Sequence, residues 1–176
     1  PYLQNRQPAE LITQACRILG TGQLSLAKYL FIAADELGAL SCHDIQTFLS
    51  FVFERINLTR DLHFITRTTI DTLDYSGEGL NEGSKLVFAA TGEKKRRLSE
   101  TIPSSLREID LRGQPVAIMP GVIAIDIGPF ESYRAATDEI ARLSASLSAV
   151  LKELEGIVQI VLTHGFPDSF YRFHDL

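Results

Sequence analysis

The sequence predicts an α/β fold in which a layered mixed or parallel sheet is flanked by helices. Apolar runs of strand length alternate with amphipathic stretches of helix length. Several of those runs are apolar at every position, the pattern of strands covered on both faces. The chain has 176 residues, which fits one domain over 1–176 with a core large enough to fold without disulfides or metal.

Residues 8–19 read as a helix. Pro8 suits its first turn, Leu11, Ile12, Ala15, Ile18 and Leu19 share one face, and Gly20 and Gly22 close it. "KYLFIAA", residues 28–34, reads as a buried strand. Ser41 can cap a helix over 42–56, with Asp44 in its first turn and Ile45, Phe48, Leu49, Val52 and Ile56 as its apolar stripe. Residues 61–69 and 85–91 read as two further strands. Residues 92–114 are polar, interrupted by Pro103, and read as irregular with at most a short turn of helix. Residues 116–119 and 122–127 form two strands broken at Pro120-Gly121. A long helix follows over 131–154 and ends at Gly156. Its residues Ile140, Leu143, Leu147, Val150 and Leu154 form a narrow seam, flanked by Ala141, Ala145 and Ala149. That seam suits packing on the domain's own sheet, or a contact with another subunit or domain. Residues 157–163 form a last strand. The stretch 157–176 shares its plan with 28–53, so it reads either as the start of a truncated second repeat or as another ordinary strand-to-helix unit.

Composition narrows the function. A net charge of −5 argues against a general nucleic-acid binder. Lys94-Lys95-Arg96-Arg97 is the one basic block; Glu93 and Glu100 flank it, and it reads as a solvated loop. No run of 18 apolar residues occurs, so no transmembrane segment is expected. The first residues lack the basic-then-apolar pattern of a secretory signal. The chain begins with Pro1, which suggests processing or a piece of something longer. Cys16 and Cys42 make neither a metal knuckle nor a disulfide framework, so a reducing cytoplasm is the simplest setting.

"DYSGEGLNEGSK", residues 74–85, is the segment most suggestive of ligand chemistry. Its glycines, Gly77, Gly79 and Gly83, miss the G-x-G-x-x-G spacing, and a strand follows instead of a helix. Gly83-Ser84-Lys85 has the order wrong for a mononucleotide P-loop. Asp74, Glu78 and Glu82 repel phosphate. By spacing alone the segment is a turn. Asp35-Glu36, and Asp71 with Asp74, follow predicted strands, where α/β sheets gather ligands. Turn bonding, capping and ion pairs with Arg55, Arg60 or Arg67 are the commoner uses of such carboxylates. His43, His63, His164 and His174 are scattered without metal-ligand spacing.

The order of segments carries a resemblance that no one piece carries. "GQLSLAKYLFIAADE", "FVFERINLTRD" and "TTIDTLDYSGEGLNEGSKLVFAAT" resemble the C-terminal domain of the UbiD-type decarboxylases over residues 20–91. The matching positions are those from Gly22 to Lys28, Asp35 and Glu36, those from Arg55 to Asp61, and those from Gly83 to Thr91. The family's "D-A-T" is Ala89-Ala90-Thr91 here, and Gly38 stands where another acid is common.

The resemblance implies a fragment of a non-oxidative carboxy-lyase (decarboxylase) for aromatic or unsaturated carboxylic acids. It implies prenylated FMN, a divalent metal and potassium in the parent enzyme, and none of these on the isolated chain. The family's catalytic and metal residues belong to an N-terminal flavin domain, so no catalytic or metal residue is carried over. This fragment would cap the flavin site of that partner domain, aid assembly of a homo-oligomer, and be inactive alone. Only Lys85 transfers as a cofactor-binding residue, toward the cofactor phosphate. The alternative is a stand-alone protein-interaction domain that uses the 140–154 seam.

Overall fold

The computed structural model describes residues 8–35, 38–71, 73, 79 and 82–163. Residue contacts gather the chain into two compact units, Pro1–Arg97 and Leu98–Leu176, where the sequence is read above as one domain. The α/β class holds, because each unit builds its own three-stranded mixed sheet.

The first unit contains α1 (Pro8–Leu19), a 3₁₀ turn (Gly22–Leu26), β1 (Tyr29–Ala33), α2 (Ile45–Arg55), β2 (Leu62–Thr68) and β3 (Gly83–Ala90). The strand order is β1-β3-β2. β1 runs parallel to β3, from Tyr29 opposite Leu86 to Ala33 opposite Ala90. β2 runs antiparallel to β3, with His63 opposite Val87 and Ile65 opposite Lys85. Successive side chains of a strand point to opposite faces. Val87, Ala89 and Ala90 are all fully buried, so both faces of the central strand are covered toward its carboxyl end. On one face Phe31 stacks on Phe88 at 4.3 Å, and Phe53 of α2 meets Phe31 edge-on at 6.2 Å.

The cap of α2 differs from expectation. Asp44, not Ser41, is the N-cap: its carboxylate accepts from the Thr47 amide at 3.0 Å and the Thr47 hydroxyl at 2.7 Å. Ser41 instead accepts from the His43 amide. The basic run is not simply a solvated loop either. The amides of Lys95 and Arg96 donate to the Glu54 carbonyl, and Arg96 donates to the Phe53 carbonyl at 2.5 Å. Lys94 pairs with the Glu54 carboxylate at 2.7 Å. A helix ends in carbonyls without intrahelical partners and a partial negative charge. The basic run satisfies both at the end of α2.

The second unit contains α3 (Ser104–Glu108), β4 (Val116–Met119), β5 (Val122–Asp126), α4 (Tyr133–Ala149), a 3₁₀ turn (Leu151–Leu154) and β6 (Gln159–Thr163). The order is β4-β5-β6, with β4 antiparallel and β6 parallel to β5. Gly121, at φ +78, makes the two-residue turn between β4 and β5, with Leu98 packed against it. The core is Leu106, Ile123, Ile125, Leu143 and Leu154, with Leu147 and Val150 among the residues packed around it.

The seam of α4 therefore serves the unit's own core, the first of its two predicted uses. Only Ile140 stands out, 47% exposed. The helix also stops earlier than expected. Val150 leaves helical geometry at φ −112 and ψ 12, and the chain tightens into the 3₁₀ turn. There Leu154 is buried and Leu151 exposed. The second half of the suspected repeat, from His164 on, lies outside the described residues. Among the described residues no helix is long and apolar enough to cross a membrane.

Candidate functional site

Lys85 lies near the amino end of β3. Its register partner Ile65 and its alternation with Val87 and Ala89 set it on one face of the sheet. The side chain is 4% exposed, and its Nζ donates to the Ala27 carbonyl at 3.1 Å. A buried ammonium needs partners to offset lost hydration, and that carbonyl is one of them. The bond joins two segments that are separate in the sequence, "GQLSLAK" and "GSK". Gly83, two residues earlier, has its own reason. A Cβ there would lie 1.9 Å from Cγ2 of Ile70, so close packing on Ile70 accounts for the glycine. Gly77 and Asp74 lie outside the described residues.

The predicted acidic edge does not join Lys85. Asp35 follows β1 at the carboxyl end of the parallel pair, while Lys85 is near the amino end. Five residues of strand separate these ends, about 16 Å. Asp35 closes its own turn, accepting from the amides of Gly38 at 3.0 Å and Leu40 at 2.5 Å. Asp71 likewise accepts from the Leu73 amide at 2.9 Å. Glu36 is outside the described residues. Among the described residues no group of three His, Cys, Asp or Glu side chains is placed to hold a metal.

The segment from Arg55 to Asp61 turns out to be a structural lock. Asp61 is fully buried. Its carboxylate accepts from the Asn57 amide at 2.8 Å and from Arg60 through Nε at 2.5 Å and Nη2 at 3.0 Å. Asn57 in turn accepts from the amide and hydroxyl of Thr59. The Asp61 carbonyl accepts from the Ala89 amide, tying the turn to β3. Burial pushes the Asp61 carboxyl up. The hydrogen bonds from Arg60 and Asn57 and the charges of Arg60 and Lys95 outweigh it, leaving the group below the ordinary aspartate range. Arg55 lies over the Phe51 ring at 3.6 Å and pairs with Glu54. Sequence reasoning gives Asp61 only as the last position of the Arg55-to-Asp61 match, weighs Arg60 only as one ion-pair partner among several, and assigns neither this role. The Asn and Asp four residues apart, with Thr between, were the available signal.

The fold and these contacts define a class: a small mixed-sheet α/β module, locked by a turn around the buried Asp61 and carrying the buried Lys85. Half of the chain, residues 2–90, matches the family described as the 3-octaprenyl-4-hydroxybenzoate carboxy-lyase C-terminal domain. The chain belongs to this family, the UbiD C-terminal domains. It is 41% identical over 96 residues to an uncharacterised protein of Chlamydia trachomatis. It is 40% identical over 96 residues to a protein of Chlamydia pneumoniae named as a subunit of 4-hydroxybenzoate decarboxylase, and 38% identical over 96 residues to an uncharacterised protein of Chlamydia muridarum. Each alignment covers 54% of this chain and 16% of the relative. The chain therefore spans a small part of the proteins it matches.

Prenylated FMN, a divalent metal and potassium do not fit the described residues as a complete site. Lys85, the one residue that the resemblance assigns to the cofactor, is already bonded to the Ala27 carbonyl, and no group of three His, Cys, Asp or Glu among the described residues is placed to hold a metal.

Proposed function

We propose that this chain is the C-terminal part of a UbiD-like decarboxylase acting on aromatic or unsaturated carboxylic acids in the cytoplasm. The family match over residues 2–90 carries this reading, and the name of the Chlamydia pneumoniae relative agrees with it. An N-terminal flavin domain of the same parent protein would hold prenylated FMN with a divalent metal and potassium, and that cofactor would supply the decarboxylation chemistry. This chain caps the flavin site and aids oligomerisation, and it is inactive alone.

Lys85 is the residue of this chain assigned to the cofactor phosphate. Its compact charge suits that role, and its hold on the Ala27 carbonyl would fix where the amine sits. The test uses the full-length parent, produced with a supply of prenylated FMN. Purified protein should release carbon dioxide from an aromatic acid, and Lys85→Met should lower flavin retained after gel filtration by about tenfold, in line with loss of a charge-assisted bond. Flavin retention unchanged in Lys85→Met, with only a lower melting temperature, would assign Lys85 to the fold alone. A parent without flavin and without carbon dioxide release would overturn the whole reading.

A further inference from the structure

The second unit holds a cavity of about 300 Å³ that the reading of Lys85 does not use. It lies where β5 gives way to residues 127–131, against the first three turns of α4. The volume is at the small end for ligand sites. Ile127, Pro129, Phe130, Ala135 and Ala136 make much of its wall apolar. Phe130 and Tyr133 meet edge to face at 5.3 Å, and both rings are largely exposed.

The charges of this cavity are unequally committed. Arg142 is held by Glu139 at 2.7 and 2.9 Å and by the Asp110 carbonyl at 2.8 Å. That pairing, and more weakly the charge of Arg112, keeps the Glu139 carboxyl below its ordinary range. Glu131 and Asp138 are exposed. Arg112 differs, because it makes no hydrogen bond or ion pair among the described residues. Its guanidinium lies directly on Gly128. A Cβ there would come within 3.0 Å of both Cδ and Cζ of Arg112, and closer still to Nη1. Gly128 also sits at φ +77, so a left-handed turn and a missing side chain together make the bed for the guanidinium.

We propose that this cavity binds a small organic carboxylate with a planar apolar body. Arg112 grips the carboxylate with two parallel N–H donors, and the body lies against Ile127, Phe130 and Ala136. A planar guanidinium fork matches a carboxylate better than a lysine ammonium does. The site is independent of Lys85 and of the decarboxylase reading.

The test titrates benzoate into the 176-residue chain, followed by backbone amide shifts. Benzoate should move the amides of residues 127–136 in a saturable way. Arg112→Gln should weaken binding about tenfold, and Arg112→Lys should weaken it nearly as much. Both substitutions are on an exposed side chain, and unchanged melting curves check that the fold is intact. Benzamidine, the same ring with a cationic head, should not bind. Stronger binding of benzamidine than of benzoate would make this a cation site and overturn the proposal. So would benzoate binding that is unaffected by Arg112→Gln, or no saturable shift at all.

Discussion

The two units solve the same topological problem with different chemistry. Each has a central strand with one parallel and one antiparallel neighbour. In the second unit that strand, β5, is buried through Val122, Ile123, Ala124 and Ile125. In the first, β3 buries Lys85 beside Val87 and Ala89, and the turn before β2 buries Asp61. Apolar burial is non-directional and tolerates many arrangements. A buried charge demands particular partners at particular distances. The first unit, where the family match lies, is thus the one specified by polar geometry.

This contrast sets the expected size of each perturbation. Ile125→Ala should cost the most, about 4 kcal/mol, because it opens a cavity in a fully apolar core. Loss of amide-exchange protection in β5 measures it. Asp61→Ala should follow at about 3 kcal/mol, since it strands the Asn57 amide and removes a buried carboxylate held by charge-assisted bonds from the half-exposed Arg60. Urea unfolding monitored at β2 and β3 measures that loss. Arg60→Ala should cost less, because the Arg60 side chain is 52% exposed and its charge is screened.

Acid should separate the units further. The Asp61 carboxyl titrates lower in the folded than in the unfolded chain. Its contribution is therefore complete above about pH 4, the unfolded value, and is lost as pH falls through the folded value. Asp61→Asn should flatten that loss in β3. Equal acid sensitivity of β3 and β5 exchange, with Asp61→Asn making no difference, would remove the contrast.

Gly83→Ala should cost about 2 kcal/mol by overpacking on Ile70. Ile70→Ala should recover part of that loss in the double variant, as a thermal melt of all four proteins would show. Asp44→Ala should have the smallest effect, faster exchange confined to the first turn of α2, where Asp44 caps the Thr47 amide.

Much of the fold was legible because it rests on local periodicity. α1 and β4 fall where the sequence puts them, and β1, β2, β3, β5 and β6 differ at their ends. The Pro120-Gly121 turn was legible because Gly121 needs a positive φ. The end of α4 was not. A seam at steps of three and four continues through Leu154, but the core accepts Leu154 from a 3₁₀ turn. The candidate site was legible only in part. The resemblance pointed to Lys85, yet nothing in its spacing showed that its amine meets Ala27, 58 residues away.

Residue type and spacing, then, were enough for the α/β class, most elements and the family. These depend on which side chains recur on a face and in what order segments follow. Tertiary structure alone decided that Gly83 answers to Ile70, that the basic run finishes α2, and that Asp61 is the buried lock. It also decided that Arg112 lies on Gly128, with its donors uncommitted among the described residues. Each of these is a contact between segments remote in sequence or a matter of burial. A one-dimensional pattern carries propensity, but not the neighbour that a side chain will meet.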